Sequence, residues 1–272
     1  MPEIAEVETV RNTLKKQILN KKISDVNIIY SKMIESNLDD FKKNLIGNEF
    51  VDIKRRGKWL MFELHDFYLL THLRMEGKFF LKNNKDKIDK HEHIIFTFED
   101  GSDLRYHDTR KFGRMNLVKK EDVYEIEAIK KQGAEPFSKE LTKEYLFECF
   151  KKKSVPIKTL LLDQTIISGL GNIYANEVLF AAFIHPQRLG KDIQLDECQR
   201  IVDSTNKIIK EAIKMGGTTI KSYTSSLGVT GMFQQNLMVH KKEGEECKIC
   251  HHPIIRIKLG GRSTYFCQNC QK

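Results

Sequence analysis

Four of the six cysteines fall within the last 26 residues, as Cys247-x2-Cys250 and Cys267-x2-Cys270 with sixteen residues between the pairs. Two short knuckles at this spacing let four sulfurs converge tetrahedrally on one ion, so Cys247, Cys250, Cys267 and Cys270 are expected to hold a single structural Zn2+. The other reading is four unrelated thiols. With every position of the ion filled by protein, none is left for a substrate water, and the metal serves to hold the hairpin between the knuckles. Cys149 and Cys198 read as ordinary thiols. A disulfide framework is disfavoured because the chain opens MPEIAEVETV, with acids where a secretory leader needs a basic start, and has no run of 18 apolar residues. A cytoplasmic chain without membrane contact is expected.

Residues 254–266 lie between the knuckles, and the turn 259–264 puts Arg262 at the tip. A planar guanidinium beside glycines suits a phosphate; a solvated surface arginine fits the same pattern. The 46 Lys and Arg against 37 Asp and Glu leave a formal charge of +9, which suits a polyanion, although many proteins are mildly basic without binding one. On these features alone, a non-enzymatic zinc ribbon that binds nucleic acid is a complete explanation.

The 272 residues are enough for two domains and a small appended module. Apolar residues at Ile4, Val7, Val10 and Leu14 predict a helix that starts almost at the first atom. Short β-branched and aromatic runs follow at 23–30, 49–56, 58–64, 68–74, 78–81, 93–98, 104–107 and 114–118, and Asp100-Gly101 makes a hairpin turn. So many strands at short spacing predict a sandwich or barrel, interrupted by a charged loop at 82–90 that is expected to be mobile. Past 133–136 the period becomes helical, with helices at 141–152, 157–162, 173–183 and 196–215. Ser168-Gly169-Leu170-Gly171-Asn172 forms a tight turn, and Gly216-Gly217 closes the last long helix.

Pro2 follows the initiator Met. If Met1 is removed, the chain begins with a secondary amine able to attack a sugar aldehyde carbon as an iminium-forming nucleophile. At the positive end of a helix its protonated form is disfavoured. Glu3 and Glu6 share a helical side and could manage protons beside it. A proline and two glutamates are equally ordinary at a helix start.

The opening Met-Pro-Glu-Ile-Ala-Glu-Val-Glu-Thr-Val-Arg resembles that of formamidopyrimidine-DNA glycosylases. The resemblance continues through Arg56-Gly57-Lys58-Trp59-Leu60, His72-Leu73-Arg74-Met75, His107-Asp108-Thr109-Arg110-Lys111-Phe112-Gly113, Gly169-Leu170-Gly171-Asn172-Ile173-Tyr174 and the zinc finger, and so spans the chain. Ala5 departs from it, standing where the family more often has proline, and is expected to loosen the helix entry.

The resemblance implies an α+β multidomain fold: an N-terminal β-sandwich with a leading helix (1–133), a helix-two-turns-helix domain (134–237) and a zinc-finger β-hairpin (238–272). It implies a bifunctional repair enzyme, active as a monomer in the cytoplasm and at the nucleoid, on double-stranded DNA carrying oxidised purines. In the catalytic set Pro2 is the nucleophile at C1′, Glu3 a proton donor and acceptor with Glu6 beside it, Lys58 a proton donor in strand cleavage, and Arg262 assists the second elimination. A base inside a duplex must be flipped out before attack, and Met75, Arg110 and Phe112 match the residues that fill the void. As plain residues, Met75 and Phe112 also suit strand core, and His72 a satisfied core histidine. The 169–172 turn can offer phosphates backbone N–H groups at a helix start along with the Asn172 amide, and by family match His91, Lys153, Lys158 and Arg262 add to the same surface, with His72 on the same DNA-binding set. The lysines at 151–153 also suit a solvated helix end. The 218–233 loop resembles a segment that closes over the flipped base. An endonuclease VIII-type glycosylase for oxidised pyrimidines and a catalytically silent DNA-binding relative are the alternatives. Met75, Arg110, Phe112 and the long loop favour the purine branch; Pro2, Glu3 and Lys58 argue against the silent one.

Overall fold

The computed structural model describes residues 1–218 and 231–272. It divides into two compact units, Met1–Lys130 with Gly216–Met232, and Lys131–Met215 with Phe233–Lys272.

The first unit opens with helix α1 (Ile4–Ile18), which buries Ile4, Val7, Val10, Leu14 and Ile18 along one stripe. Its start is fastened by a capping box. The Glu3 carboxylate accepts from the Glu6 amide, and Glu6 Oε2 accepts from the Glu3 amide at 2.8 Å. Ala5 does not loosen this entry: it is fully buried, and its carbonyl accepts the Thr9 hydroxyl at 2.8 Å. Strand β1 (Ile23–Ile28) follows, then the short helix α2 (Leu38–Leu45), capped by Asn37 and anchored by Phe41 and Leu45. The rest of the unit is built on β2 (Asp52–Arg56), β3 (Trp59–Glu63), β4 (Phe67–His72), β5 (Lys78–Asn83), β6 (Glu92–Phe98), β7 (Ser102–His107) and β8 (Arg114–Lys119), with a turn of helix α3 (Glu127–Lys130) after them.

The strands form two antiparallel four-stranded sheets, ordered β1-β6-β7-β5 and β2-β3-β4-β8. Period-two alternation sends Phe79, Phe96, Phe98, Leu104 and Tyr106 from one sheet and Ile53, Leu60, Phe62, Leu69 and Met115 from the other into a shared core with α1 and α2. Trp59, Met61, Tyr68 and Leu70 point the opposite way and are covered by Val123 and Ile129, so β3 and β4 are buried on both faces.

The charged loop expected to be mobile is instead fastened from below. Arg105 is completely buried and uses all five of its donors. They bond Asp103 at 2.9 Å, Glu92 at 3.1 Å and the carbonyls of Lys87 (3.3 Å), Asn83 (3.0 Å) and Asp86 (2.9 Å). A run of charges reads as solvated from sequence; here it surrounds one desolvated guanidinium that needs its carbonyls.

The second unit packs α4 (Lys143–Phe150), α5 (Ile157–Leu161), α6 (Asn172–Ala181) and the 20-residue α7 (Leu195–Lys214). Gly216 ends α7 with a φ of 75°, the left-handed turn that glycine takes without strain. The hairpin of β9 (Ile255–Leu259) and β10 (Arg262–Phe266) packs on α6 through Phe180, Val239, Ile254, Cys247 and Cys267. Its turn is Gly260-Gly261, both at positive φ as a type I′ turn needs, so Arg262 is the first residue of β10, one step past the tip. The buried carboxylate of Glu177 on α6 collects three consecutive amides, Met238 at 2.7 Å, Val239 at 3.1 Å and His240 at 2.8 Å, and so turns the chain into the finger. Among the described residues no helix is long and apolar enough to cross a membrane.

Candidate active site

The first unit gathers Pro2, Glu3, Glu6 and Lys58, all buried, around the amino terminus. In the chain that retains Met1, burial holds the terminal ammonium below its ordinary pKa, against the opposing pull of Glu3 and Glu6, with Lys58 lowering it and Glu76 raising it. Burial of this kind disfavours the protonated form of an amine. Lys58 occupies the two-residue turn Gly57-Lys58 between β2 and β3, where Gly57 has a φ of 55°. Arg55 bonds the Gly57 carbonyl at 2.9 Å and Glu8 of α1 at 2.8 Å, clamping this turn to the helix that follows Pro2. Neither Arg55 nor Glu8 stands out in the sequence. Glu6 has a further partner, since Oε1 accepts the Thr218 amide at 2.7 Å and the Thr218 hydroxyl at 3.0 Å. Most of the expected 218–233 lid, residues 219–230, lies outside the described residues.

Two neighbouring turns carry the expected void-filling residues. Met75 is half-buried in the loop after β4. His72, expected on the DNA surface, is buried against Trp59 (ring centroids 4.9 Å), and its Nδ1 accepts the Arg74 amide at 3.0 Å. Burial, with Arg74 and Lys58 adding to it, pushes the His72 pKa down to about 3, so the ring is a neutral support for the Met75 turn. Arg110 and Phe112 follow β7 in the other turn; Phe112 is 47% exposed and the Arg110 guanidinium stacks 4.7 Å above it. The buried Asp108 carboxylate folds this turn by accepting the amides of Arg110 (3.0 Å), Phe112 (2.9 Å) and Gly113 (2.8 Å). An aspartate bonding the amide two residues on is a common turn device, so Asp108 could have been found from sequence. His91 is tied into the same region: its carbonyl accepts the Asp108 amide at 2.9 Å.

The second unit places Asn172 at the start of α6, where its side-chain amide donates to the Ser263 carbonyl at 3.0 Å. Lys158 is buried, and its ammonium bonds the same carbonyl at 3.1 Å and the Thr264 hydroxyl at 2.7 Å. Both residues brace the strand that Arg262 begins. Arg262 itself is exposed on the rim of a cavity of about 280 Å³, lined by Lys158, Thr159, Leu162, Asp163, Leu259 and Gly260. Lys153 is exposed.

The four finger cysteines bring their sulfurs within 4.8 Å of one another, with Cys250 and Cys267 at 3.3 Å and Cys247 and Cys270 at 3.9 Å. Tetrahedral zinc with bonds near 2.3 Å needs sulfurs about 3.8 Å apart, whereas a disulfide needs about 2.05 Å. The His252 amide bonds the Cys250 sulfur and lowers that thiol's pKa, while burial raises those of Cys267 and Cys270. The donor set fits one structural zinc, and no other His, Cys, Asp and Glu group of the kind is present among the described residues.

Three family models match the chain in sequence: the formamidopyrimidine-DNA glycosylase N-terminal domain over residues 1–115, the formamidopyrimidine-DNA glycosylase H2TH domain over 132–224, and a zinc finger found in FPG and IleRS over 244–272. The formamidopyrimidine-DNA glycosylase of Listeria monocytogenes is 45% identical over the full length of both chains. Among solved structures, the Lactococcus lactis Fpg in complex with an N7-benzyl-Fapy-dG containing DNA matches with a TM-score of 0.94 at 40% identity, covering all of both chains. The same protein with an oxidised pyrimidine containing DNA matches at 0.94 and 39%, again over both full chains.

Proposed function

This chain belongs to the formamidopyrimidine-DNA glycosylase family, and from that premise we propose that Pro2, freed by removal of Met1, excises oxidised purines from duplex DNA through a Schiff base. The chain is a DNA-repair glycosylase and AP lyase with one structural zinc. The observation that carries the Pro2 reading is that Pro2 is buried together with Glu3, Glu6 and Lys58 at the head of α1.

In this reading the Pro2 lone pair attacks C1′ as the bond to the base breaks and its electrons leave with the base. Glu3 carries the proton that opens the sugar ring, and the resulting iminium activates the 2′ proton for β-elimination. Glu6 holds the Glu3 amide and Thr218 in place. Lys58 donates a proton during strand cleavage, and Arg262 assists the second elimination. Met75, Arg110 and Phe112 fill the space left by the flipped nucleotide. His91, Lys153 and Asn172 face phosphates, while Lys158 supports the strand that Arg262 begins and His72 the turn of Met75. The enzyme acts as a cytoplasmic, nucleoid-bound monomer, with modules at 1–133, 134–237 and 238–272.

Borohydride trapping on a duplex with 8-oxoguanine opposite cytosine, followed by mass mapping, tests this reading. A covalent adduct at Pro2 is expected, with Pro2→Gly losing it and Glu3→Gln binding the duplex but excising at least about 100-fold more slowly. Trapping only on a thymine glycol duplex would move the substrate to oxidised pyrimidines. Binding with no adduct from processed protein would make the chain a silent DNA binder.

A further inference from the structure

The two turns that carry Met75 and Phe112 rest on one side chain that none of the assigned roles uses. Tyr106 is fully buried near the end of β7, two residues before the turn-capping Asp108. Its ring packs on Phe79 at 5.1 Å. Its hydroxyl lies against Gly77, which closes the Met75 turn by donating its amide N–H to the Leu73 carbonyl at 3.1 Å. The same hydroxyl lies against Gly113, which closes the Phe112 turn. A β-carbon at Gly77 would sit 2.1 Å from Tyr106 Oη, and one at Gly113 would sit 1.8 Å from it. Neither glycine has a positive φ, so space rather than backbone conformation excludes a side chain at both positions. The Thr109 hydroxyl bonds the Glu76 carboxylate and ties the two turns together a second time, at the surface.

We propose that Tyr106 is a positioning residue: its hydroxyl is a spacer that fixes the separation of the Met75 and Phe112 turns, so that both side chains can enter the helix vacancy together. The proposal rests on the void-filling reading of those residues. A wedge displaced by about 1 Å can cost up to about 100-fold in rate when geometry is limiting, and the spacer is one oxygen atom wide.

The test compares excision of 8-oxoguanine from duplex DNA with strand cleavage of a single-stranded oligonucleotide holding a preformed abasic site, where no duplex vacancy needs filling. Tyr106→Phe is expected to slow duplex excision by roughly tenfold while single-stranded cleavage stays within about twofold. Adding Tyr106→Phe to Phe112→Ala should then cost much less than it costs alone, because residues acting through one another are not additive. Wild-type duplex excision by Tyr106→Phe, equal loss in both reactions, or full additivity with Phe112→Ala each overturns the spacer role. Unimpaired duplex excision by Phe112→Ala identifies the void-filling reading itself as the failure. Gly113→Ala, which pushes on the same oxygen from the other side, should reproduce the split; equal loss of both reactions in that variant also counts against the spacer.

Discussion

At the scale of single residues, each unit contains a histidine held neutral by burial, with one ring nitrogen accepting a hydrogen bond. His72 Nδ1 accepts the Arg74 amide, and His240 Nδ1 accepts the Asn176 side-chain amide at 2.8 Å. Burial, then Lys241 and Lys158, lowers His240 to about 4, as burial lowers His72 to about 3. In the unfolded chain both return to about 6.5. Below that value the unfolded state takes up protons that the folded state refuses, and each tenfold difference in proton affinity between the two states is worth about 1.4 kcal/mol. Stability is therefore full above about pH 6.5 and falls as the pH drops, with the His240 contribution exhausted near 4 and that of His72 near 3. Thermal melts between pH 7.5 and 4.5 should show a falling Tm, and His240→Asn, which keeps an acceptor but no titrating ring, should flatten the decline. An unchanged slope in that variant would assign the acid sensitivity elsewhere. Residue chemistry is only partly legible in the sequence. Four thiolates announce their metal by spacing, but Pro2 is an ordinary helix-start residue until resemblance or burial distinguishes it. The Glu6–Thr218 bond joins positions 212 apart, which no local pattern reveals.

Among elements, the eight sandwich strands were legible as short runs of β-branched and aromatic residues, helped in β1 by a face that alternates between core and solvent, as in Val26 against Asn27. Helix α2 was not, because eight residues place only Phe41 and Leu45 inward, too few to establish a period. The mobile-loop expectation at 82–90 failed for a different reason: the residue that orders it, Arg105, lies on another strand. The finger hairpin has its own dependence. Two strands are marginal alone, and here their sulfurs make up much of their small core with Phe180, Val239 and Ile254. Removing zinc with a chelator should release amide protection in β9 and β10 and lower DNA affinity at least about tenfold, while β3 and β4 stay protected; hydrogen exchange followed by mass spectrometry reads both. Equal loss of protection in the sandwich would mean that the metal stabilises more than the finger.

For the molecule as a whole, a formal charge of +9 makes association with DNA largely a matter of counterion release. Each phosphate neutralised contributes about −0.9 to the slope of log affinity against log salt. Arg262→Ala should reduce the steepness of that slope by about one in anisotropy titrations from about 50 to 200 mM salt; an unchanged slope would remove Arg262 from the phosphate contacts. The Glu177 collar has a consequence for how relatives of this chain vary. The acid reads three backbone amides and no side chain at 238–240, so that contact asks nothing of which amino acids stand there. Selection on it should fix the carboxylate while leaving no covarying partner, and contact inference from coevolution should miss the joint that launches the finger.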